Sequence, residues 1–264
     1  MIMKIYIYLL ALTSILSLGC RKNFITISDN CRQLAKPADT YNYPVKPGTP
    51  EWAKLTSHAQ KFDTCRIPVR VLSDISTDGL IQSCLDFPLI TDLFFYIGSD
   101  VILPLKYYMM NFSGLKELGL RKDAGGKMLA RYRNMSPDCV EIYPTNADKG
   151  DFCFRFSAYE LILGDESILD DMTLTEKKAL VTESLKKYKE KRNIPVSFAY
   201  FNFSSSLYIS AKVMVQENYS PFKEHVSSND DLKIFLNKLT WPSTYNNAEA
   251  IFNIIIKDAS EFVK

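Results

Sequence analysis

The chain of 264 residues lacks a large net charge, a long apolar run and an abundance of histidine. Its 32 Lys and Arg nearly balance 30 Asp and Glu, so it lacks the basic footprint of a general nucleic-acid-binding protein. No apolar run reaches the length of about 20 residues that a membrane-spanning helix needs, which excludes a polytopic membrane protein. With 47% apolar and 23% charged residues, the composition is that of an ordinary globular protein.

Sequence motifs of enzymes and metal sites are also missing. The two histidines, His58 and His225, form no His-Glu-x-x-His motif, and the cysteines form no Cys-x-x-Cys motif. A zinc site would have to be assembled from distant residues. Neither the Gly-x-Ser-x-Gly elbow nor the Gly-x-Gly-x-x-Gly motif occurs. The sequence therefore predicts no catalytic residue, no metal ion and no cofactor, although a Ser or Cys nucleophile paired with a histidine stays open.

The first 20 residues have the features of an export signal. Lys4 precedes a neutral run over residues 5–19, which is typical of the n-region and h-region of a signal peptide. The run ends in Ser17-Leu18-Gly19-Cys20, which resembles the lipobox of bacterial lipoproteins, with Ser17 where that family usually has Leu. The resemblance implies that residues 1–19 are removed and that Cys20 is lipidated, which would anchor the chain in a membrane. The alternative is a plain signal peptide and secretion to the periplasm.

Residues 20–48 are predicted to be an N-terminal tether or arm. Four prolines fall within residues 37–50, which disfavours helix and favours an extended chain. A flexible tether behind Cys20 would have this composition. So would an ordered arm that lies on the folded body, with Tyr41 and Tyr43 packed there, and both interpretations stay open.

Residues 49–264 are predicted to fold as a single α-helical domain. Thr49 as the cap and Pro50 at the first position predict a helix that continues to about Thr64. Apolar residues at helical spacing then predict an all-α fold, an array of about ten antiparallel helices. No fixed repeat occurs, so an irregular helical-repeat array and a bundle both fit. Residues 194–203 fit either a strand or a helix, and a helix is favoured from Ser204 on.

The six cysteines allow several pairings. If Cys20 is lipidated, five remain and at least one is unpaired. An exported location permits disulfides. Cys139 and Cys153 flank a loop-rich stretch and are predicted as a candidate disulfide, and Cys65 with Cys84 is a second candidate. Buried free thiols are the alternative for both pairs.

A cluster of five cations and Glu190 occupies residues 186–192, at the end of a helix predicted to begin at Thr173 or Thr175. Such a cluster is typical of the solvated end of an amphipathic helix. Contact with anionic lipid headgroups or another polyanion is the alternative.

Four segments and Trp52 resemble an uncharacterised family of exported, lipoprotein-like α-helical proteins of gut-type Bacteroidetes. The segments are residues 65–68 (CRIP), 76–89 (STDGLIQSCLDFPL), 111–118 (NFSGLKEL) and 121–125 (RKDAG). The resemblance implies an α-helical body behind a signal peptide or lipobox, and it implies no reaction. Surface-exported lipoproteins of this kind tend to carry acidic residues after the cysteine. Arg21 and Lys22 follow it here, which favours the periplasmic side of the envelope.

These observations predict a binding or scaffold module at the cell envelope, anchored in the membrane through Cys20. Its partner would be an unknown protein or peptide and not a nucleic acid. An exported hydrolase with an unrecognised Ser/Cys–His site is the alternative, and a structural or immunity-like protein without a ligand also stays open.

Overall fold

The computed structural model describes residue 31 and residues 36–96, 99–195, 197–198, 200–240 and 245–264. Fourteen α-helices, two 3-10 helices and no strand occur in this part of the chain, which confirms the all-α class. The predicted signal peptide and Cys20 lie outside the described residues, as does most of residues 21–35.

The four longest described helices lie in the C-terminal half. In chain order the helices are α1 (Pro50–Ala53), α2 (His58–Thr64), α3 (Val69–Asp74), α4 (Thr77–Leu85), the 3-10 helix η1 (Ile90–Tyr96), α5 (Ile102–Asn111), α6 (Ser113–Leu118), α7 (Ala124–Asn134), the 3-10 helix η2 (Pro137–Ile142), α8 (Asn146–Leu163), α9 (Glu166–Leu169), α10 (Leu174–Arg192), α11 (Tyr200–Gln216), α12 (Ser220–Ser228), α13 (Asp230–Lys238) and α14 (Tyr245–Phe262). None of the described helices is both long enough and apolar enough to cross a membrane.

The helix predicted from Pro50 to about Thr64 is in fact two helices. Thr49 caps α1, and its hydroxyl accepts a hydrogen bond from the backbone N–H of Trp52 at 3.3 Å. Ser57 then opens α2 with a capping box that includes Gln60. A capping box satisfies the free N–H groups of a new helix start, so the prediction of one continuous helix was wrong.

Two short helices, α3 and α12, were not predicted at all. Pro68 immediately precedes α3, and Pro221 lies in the first turn of α12. Proline breaks a helix interior, yet it fits the first turn, where its missing N–H needs no partner. Helix α11 begins at Tyr200, so the ambiguous stretch is helical from there on, while Val196 and Ala199 lie outside the described residues.

Helix α11 lies at the centre of the C-terminal half. It packs against α8, α10 and α14, and residues 202–211 are buried all round. Helix α8 joins this group to the N-terminal half, since it also contacts η1, α4 and α7. The buried apolar side chains of both halves belong to one continuous core.

Residues 36–49 lie on the body as an ordered arm. Tyr43 is buried, and its hydroxyl donates to the backbone carbonyl of Ser83 at 2.9 Å. The Ser83 hydroxyl accepts from the backbone N–H of Tyr41 at 2.8 Å. The Asp39 carboxylate accepts from the backbone N–H of Ser76 at 2.7 Å. For this part of residues 20–48 the structure therefore favours the arm over the tether.

The disulfide joins Cys31 to Cys139, across 108 residues of sequence and with a Cα–Cα distance of 5.4 Å. The predicted Cys139–Cys153 pair was wrong. Helix α8 already begins at Asn146 and places Cys153 on its buried face, where the thiol donates to the backbone carbonyl of Ser197 at 3.2 Å. Closeness in sequence across the predicted loop did not bring the two sulfurs together.

The second candidate pair was also wrong, because Cys65 and Cys84 are both free and buried. The Cys65 thiol contacts the backbone carbonyl of Val45 in the arm, at 3.6 Å. For these two residues the alternative of buried free thiols is confirmed.

Candidate ligand-binding site

A pocket of about 390 Å³ lies between the arm and helices α4, α7 and α8. This volume is at the lower end of the range for small-ligand sites, which is roughly 300–1,000 Å³. We call it the arm pocket. It is defined by four cations, Lys36, Lys46, Arg131 and Arg155, and by an aromatic wall of Tyr41, Phe152 and Phe156.

Two of the four cations are paired with carboxylates. The Lys36 ammonium lies 2.6 Å from Asp86, which is the only carboxylate among the described lining residues. The Arg155 guanidinium lies 2.6 Å from Asp151 and also donates to the backbone carbonyl of Leu85 at 2.5 Å. These two cations are therefore largely compensated.

The other two cations, Lys46 and Arg131, make no ion pair within the described part of the chain. The Lys46 ammonium donates to the side-chain oxygen of Asn42 at 3.3 Å. Arg131 is half-buried, and its Nη2 donates to Oε1 of Gln82 at 2.5 Å. Its Nε is buried without a hydrogen-bond partner. The arm pocket therefore carries positive charge that the described residues do not compensate.

Sequence reasoning did not single out these cations. Lys36 and Lys46 come from the arm, Arg131 from the last turn of α7, and Arg155 from α8. A basic residue in the last turn of a helix is favoured by the helix dipole alone, so Arg131 gives no local signal of a site. Only the packing of the arm on the body brings the four together.

A buried charged cluster lies beneath the arm pocket, and we call it the core network. Its centre is Glu160, which is completely buried in α8. Oε1 of Glu160 accepts from the Tyr132 hydroxyl at 2.6 Å and from the Ser206 hydroxyl at 2.7 Å. Oε2 accepts from the Lys191 ammonium at 2.5 Å and from the Ser205 hydroxyl. Each carboxylate oxygen of Glu160 thus accepts two hydrogen bonds from side chains inside the protein.

Lys191 is the cation of the core network and is also completely buried. It donates to the backbone carbonyl of Asn202 at 2.7 Å and lies 4.5 Å from the ring centre of Phe156. Burial lowers the pKa of Lys191, while the neighbouring Glu160 acts in the opposite direction. Because Phe156 also lines the arm pocket, the core network and the pocket share this aromatic residue.

The burial of Lys191 corrects the prediction for residues 186–192. Lys187 is 2% exposed and pairs with Glu183 at 2.9 Å, and Lys191 is not exposed at all. The prediction of a solvated helix end was therefore wrong for these two residues. It is confirmed for Lys186 and Lys189, which are exposed.

Each histidine lies beside an aspartate. His58 Nε2 lies 3.3 Å from Asp92 and 3.5 Å from the Tyr108 hydroxyl, and His225 Nδ1 lies 2.6 Å from Asp258. Within the described chain, neither imidazole is hydrogen-bonded to a serine or a cysteine. No group of three or more described His, Cys, Asp or Glu side chains is arranged to hold a metal ion.

The three free cysteines among the described residues are buried thiols. Burial raises the pKa of Cys65 and of Cys153 to about 11 each. Burial also raises the pKa of Cys84 far above its ordinary value. Since the thiolate is the reactive form, these side chains are protonated and poorly nucleophilic near neutral pH.

Comparison with protein-family models, with curated proteins and with solved structures finds no match to this chain. The resemblance to Bacteroidetes lipoproteins therefore stays a prediction from its sequence segments.

Proposed function

We propose that this chain is a binding protein of the cell envelope, anchored in the membrane through a lipidated Cys20. Its arm pocket would bind a protein or peptide partner on the periplasmic side. One observation carries the proposal: the arm that follows the anchor also forms a wall of a pocket with uncompensated cations. The segment next to the membrane and the binding site are then one structural unit.

The Cys31–Cys139 disulfide supports an exported location, because disulfides form and persist in oxidising compartments. It joins Cys31, which precedes the arm in sequence, to Cys139 in η2. Secretion into the periplasm without a lipid is the alternative, and the disulfide fits it equally well.

Binding has more support than hydrolysis. The described residues that line the arm pocket include no histidine, serine or cysteine. Each histidine meets an aspartate elsewhere, and the buried thiols are protonated. A hydrolase with a Ser/Cys–His site needs its Ser or Cys nucleophile within hydrogen-bond reach of a histidine, and none is found at His58 or His225 within the described residues.

The anchor is tested by the intact mass of the protein purified from membranes of its native host. We expect a chain that starts at a triacylated Cys20 and gains two hydrogens when the Cys31–Cys139 disulfide is reduced. An unlipidated chain recovered from the soluble fraction would contradict the anchor.

The binding role is tested by a photo-crosslinking residue at Asn42, an exposed position that lines the pocket. The matched control carries the same residue at Asn253, which is exposed on α14. In host cells we expect a crosslinked partner from position 42 only, and less of it when Arg131→Gln is added. The same crosslinks from both positions, or crosslinks insensitive to Arg131→Gln, would contradict a role for the pocket.

A further inference from the structure

The guanidinium of Arg131 is held in a fixed place in the arm pocket. Gln82 Nε2 donates to Asp86 at 2.7 Å, which turns Gln82 Oε1 toward Arg131 Nη2 at 2.5 Å. Asp86 is in turn held by Lys36 at 2.6 Å. This chain of contacts orients the guanidinium without neutralising it, because the amide of Gln82 carries no charge.

One wall of the arm pocket is aromatic and apolar. Phe152 and Phe156 lie with ring centres 5.9 Å apart in an edge-to-face arrangement, and Tyr41 faces the same pocket from the arm. Leu85 and Met135 complete this wall. A flat apolar group would bury its faces well here, since aromatic rings prefer edge-to-face and offset contacts with one another.

The charges of the pocket fit a single carboxylate better than a phosphate. Arginine suits the planar carboxylate, to which it gives short, charge-assisted hydrogen bonds. A phosphate dianion would need further free cations, yet Lys36 and Arg155 are already paired with Asp86 and Asp151. The Asp86 carboxylate would also repel a second negative charge.

We propose that the arm pocket binds an aromatic carboxylate. The acid group would lie against Arg131 with Lys46 nearby, and the ring would lie against Tyr41, Phe152 and Phe156. This inference rests on the proposed function, because it names the chemical group by which the partner is recognised. A free aromatic acid and a peptide that ends in an aromatic residue both carry this group.

The test is calorimetric titration of the mature protein purified from its native host with its disulfide intact. The probes are N-acetylphenylalanine, its amide, N-acetylalanine, inorganic phosphate and a tetraglycyl-phenylalanine peptide with a free carboxylate. We expect N-acetylphenylalanine to bind and its amide and N-acetylalanine to bind at least about tenfold more weakly, since each lacks one half of the group. Tighter binding of the peptide than of N-acetylphenylalanine would assign the group to a peptide end, and weaker binding to a free acid.

The variant Arg131→Gln should weaken N-acetylphenylalanine binding by about tenfold to a hundredfold, because one charge-assisted contact is lost. Arg133→Gln is the matched control, two residues away and exposed on the same helix. The proposal is overturned if N-acetylphenylalanine does not bind at millimolar concentration, if phosphate binds as tightly, or if the two variants behave alike. The titration could fail while Cys20 proves to be lipidated and the partner crosslink depends on Arg131. That combination would overturn the aromatic carboxylate as the ligand and would leave the proposed function unchanged.

Discussion

The core network and the arm pocket share Phe156, but their charges differ: those of the network are paired inside the protein, and those of the pocket are only partly paired. In the core network the Lys191 ammonium meets the Glu160 carboxylate at 2.5 Å, and both residues are completely buried. In the arm pocket Arg131 makes no ion pair with a described residue. Burying a charge without a partner costs several kcal/mol, so deep charges must be satisfied within the fold. A half-buried cation is still partly solvated, so it can remain unpaired until a ligand binds. We therefore assign a stabilising role to the core network and a binding role to the arm pocket.

The largest effect is expected from Lys191→Met, which leaves the Glu160 carboxylate buried without its cation. We expect a loss of about 3–5 kcal/mol in the free energy of unfolding, measured by urea denaturation. Lys189→Met is the control, because Lys189 is exposed on the same helix and should change stability by less than about 0.5 kcal/mol. If Lys191→Met and Lys189→Met lost similar free energies of unfolding, the buried Lys191–Glu160 pair would contribute no more to stability than an exposed lysine does.

A smaller loss in the free energy of unfolding is expected when the Cys31–Cys139 disulfide is removed. The Cys31–Cys139 bond closes a loop with a sequence separation of 108 residues. The chain-entropy model gives about 4–5 kcal/mol for such a loop, and measured values are commonly lower, so we expect Cys31→Ser to cost about 2–4 kcal/mol. Reduction of the wild-type protein should lower the urea midpoint to that of Cys31→Ser and leave the variant unchanged. An unchanged wild-type midpoint would contradict a stabilising disulfide.

The same disulfide determines which thiols can be alkylated. In the folded protein Cys65, Cys84 and Cys153 should resist iodoacetamide, because they are buried and their pKa values are raised. After unfolding without a reductant, peptide mapping should find all three modified, while Cys31 and Cys139 stay unmodified. Modified Cys139 together with unmodified Cys153 would contradict the pairing.

The smallest change in the free energy of unfolding is expected at Asp39, an exposed residue of the arm that accepts a hydrogen bond from the backbone N–H of Ser76. The backbone N–H of Ser76 holds the pKa of Asp39 below its ordinary value. A carboxylate with a lowered folded-state pKa stabilises above its unfolded pKa of about 3.9, and this stabilisation is lost as the pH falls through the folded-state pKa. Asp39→Asn should therefore cost a few tenths of a kcal/mol at neutral pH, since the group is solvent-screened. The difference in the free energy of unfolding between Asp39→Asn and wild type should vanish in acid. A difference that grows as the pH falls would contradict the lowered pKa of Asp39.

Local sequence signals predicted the all-α class and several helix starts, but not every helix boundary, and they did not predict the long-range contacts. Thr173 is one of the two predicted starts of α10, where it forms a capping box with Glu176, and Thr49 caps α1 as predicted, because both caps depend on neighbours three residues away. The partner of Cys139 and the burial of Lys191 depend on residues far away in sequence. Local pattern made Lys191 look solvated, whereas Glu160 inside the apolar run 158–163 was a signal that a buried charge needed a partner.

The central distinction between paired core charges and an available pocket cation is tested most directly by unfolding Arg131→Gln and Lys191→Met side by side in urea. We expect Arg131→Gln to stay within about 1 kcal/mol of wild type, because it removes a cation that no described carboxylate pairs. We expect Lys191→Met to fall by about 3–5 kcal/mol. If Arg131→Gln were as destabilised as Lys191→Met, Arg131 would be a structural charge and the account of the arm pocket as a binding site would be wrong.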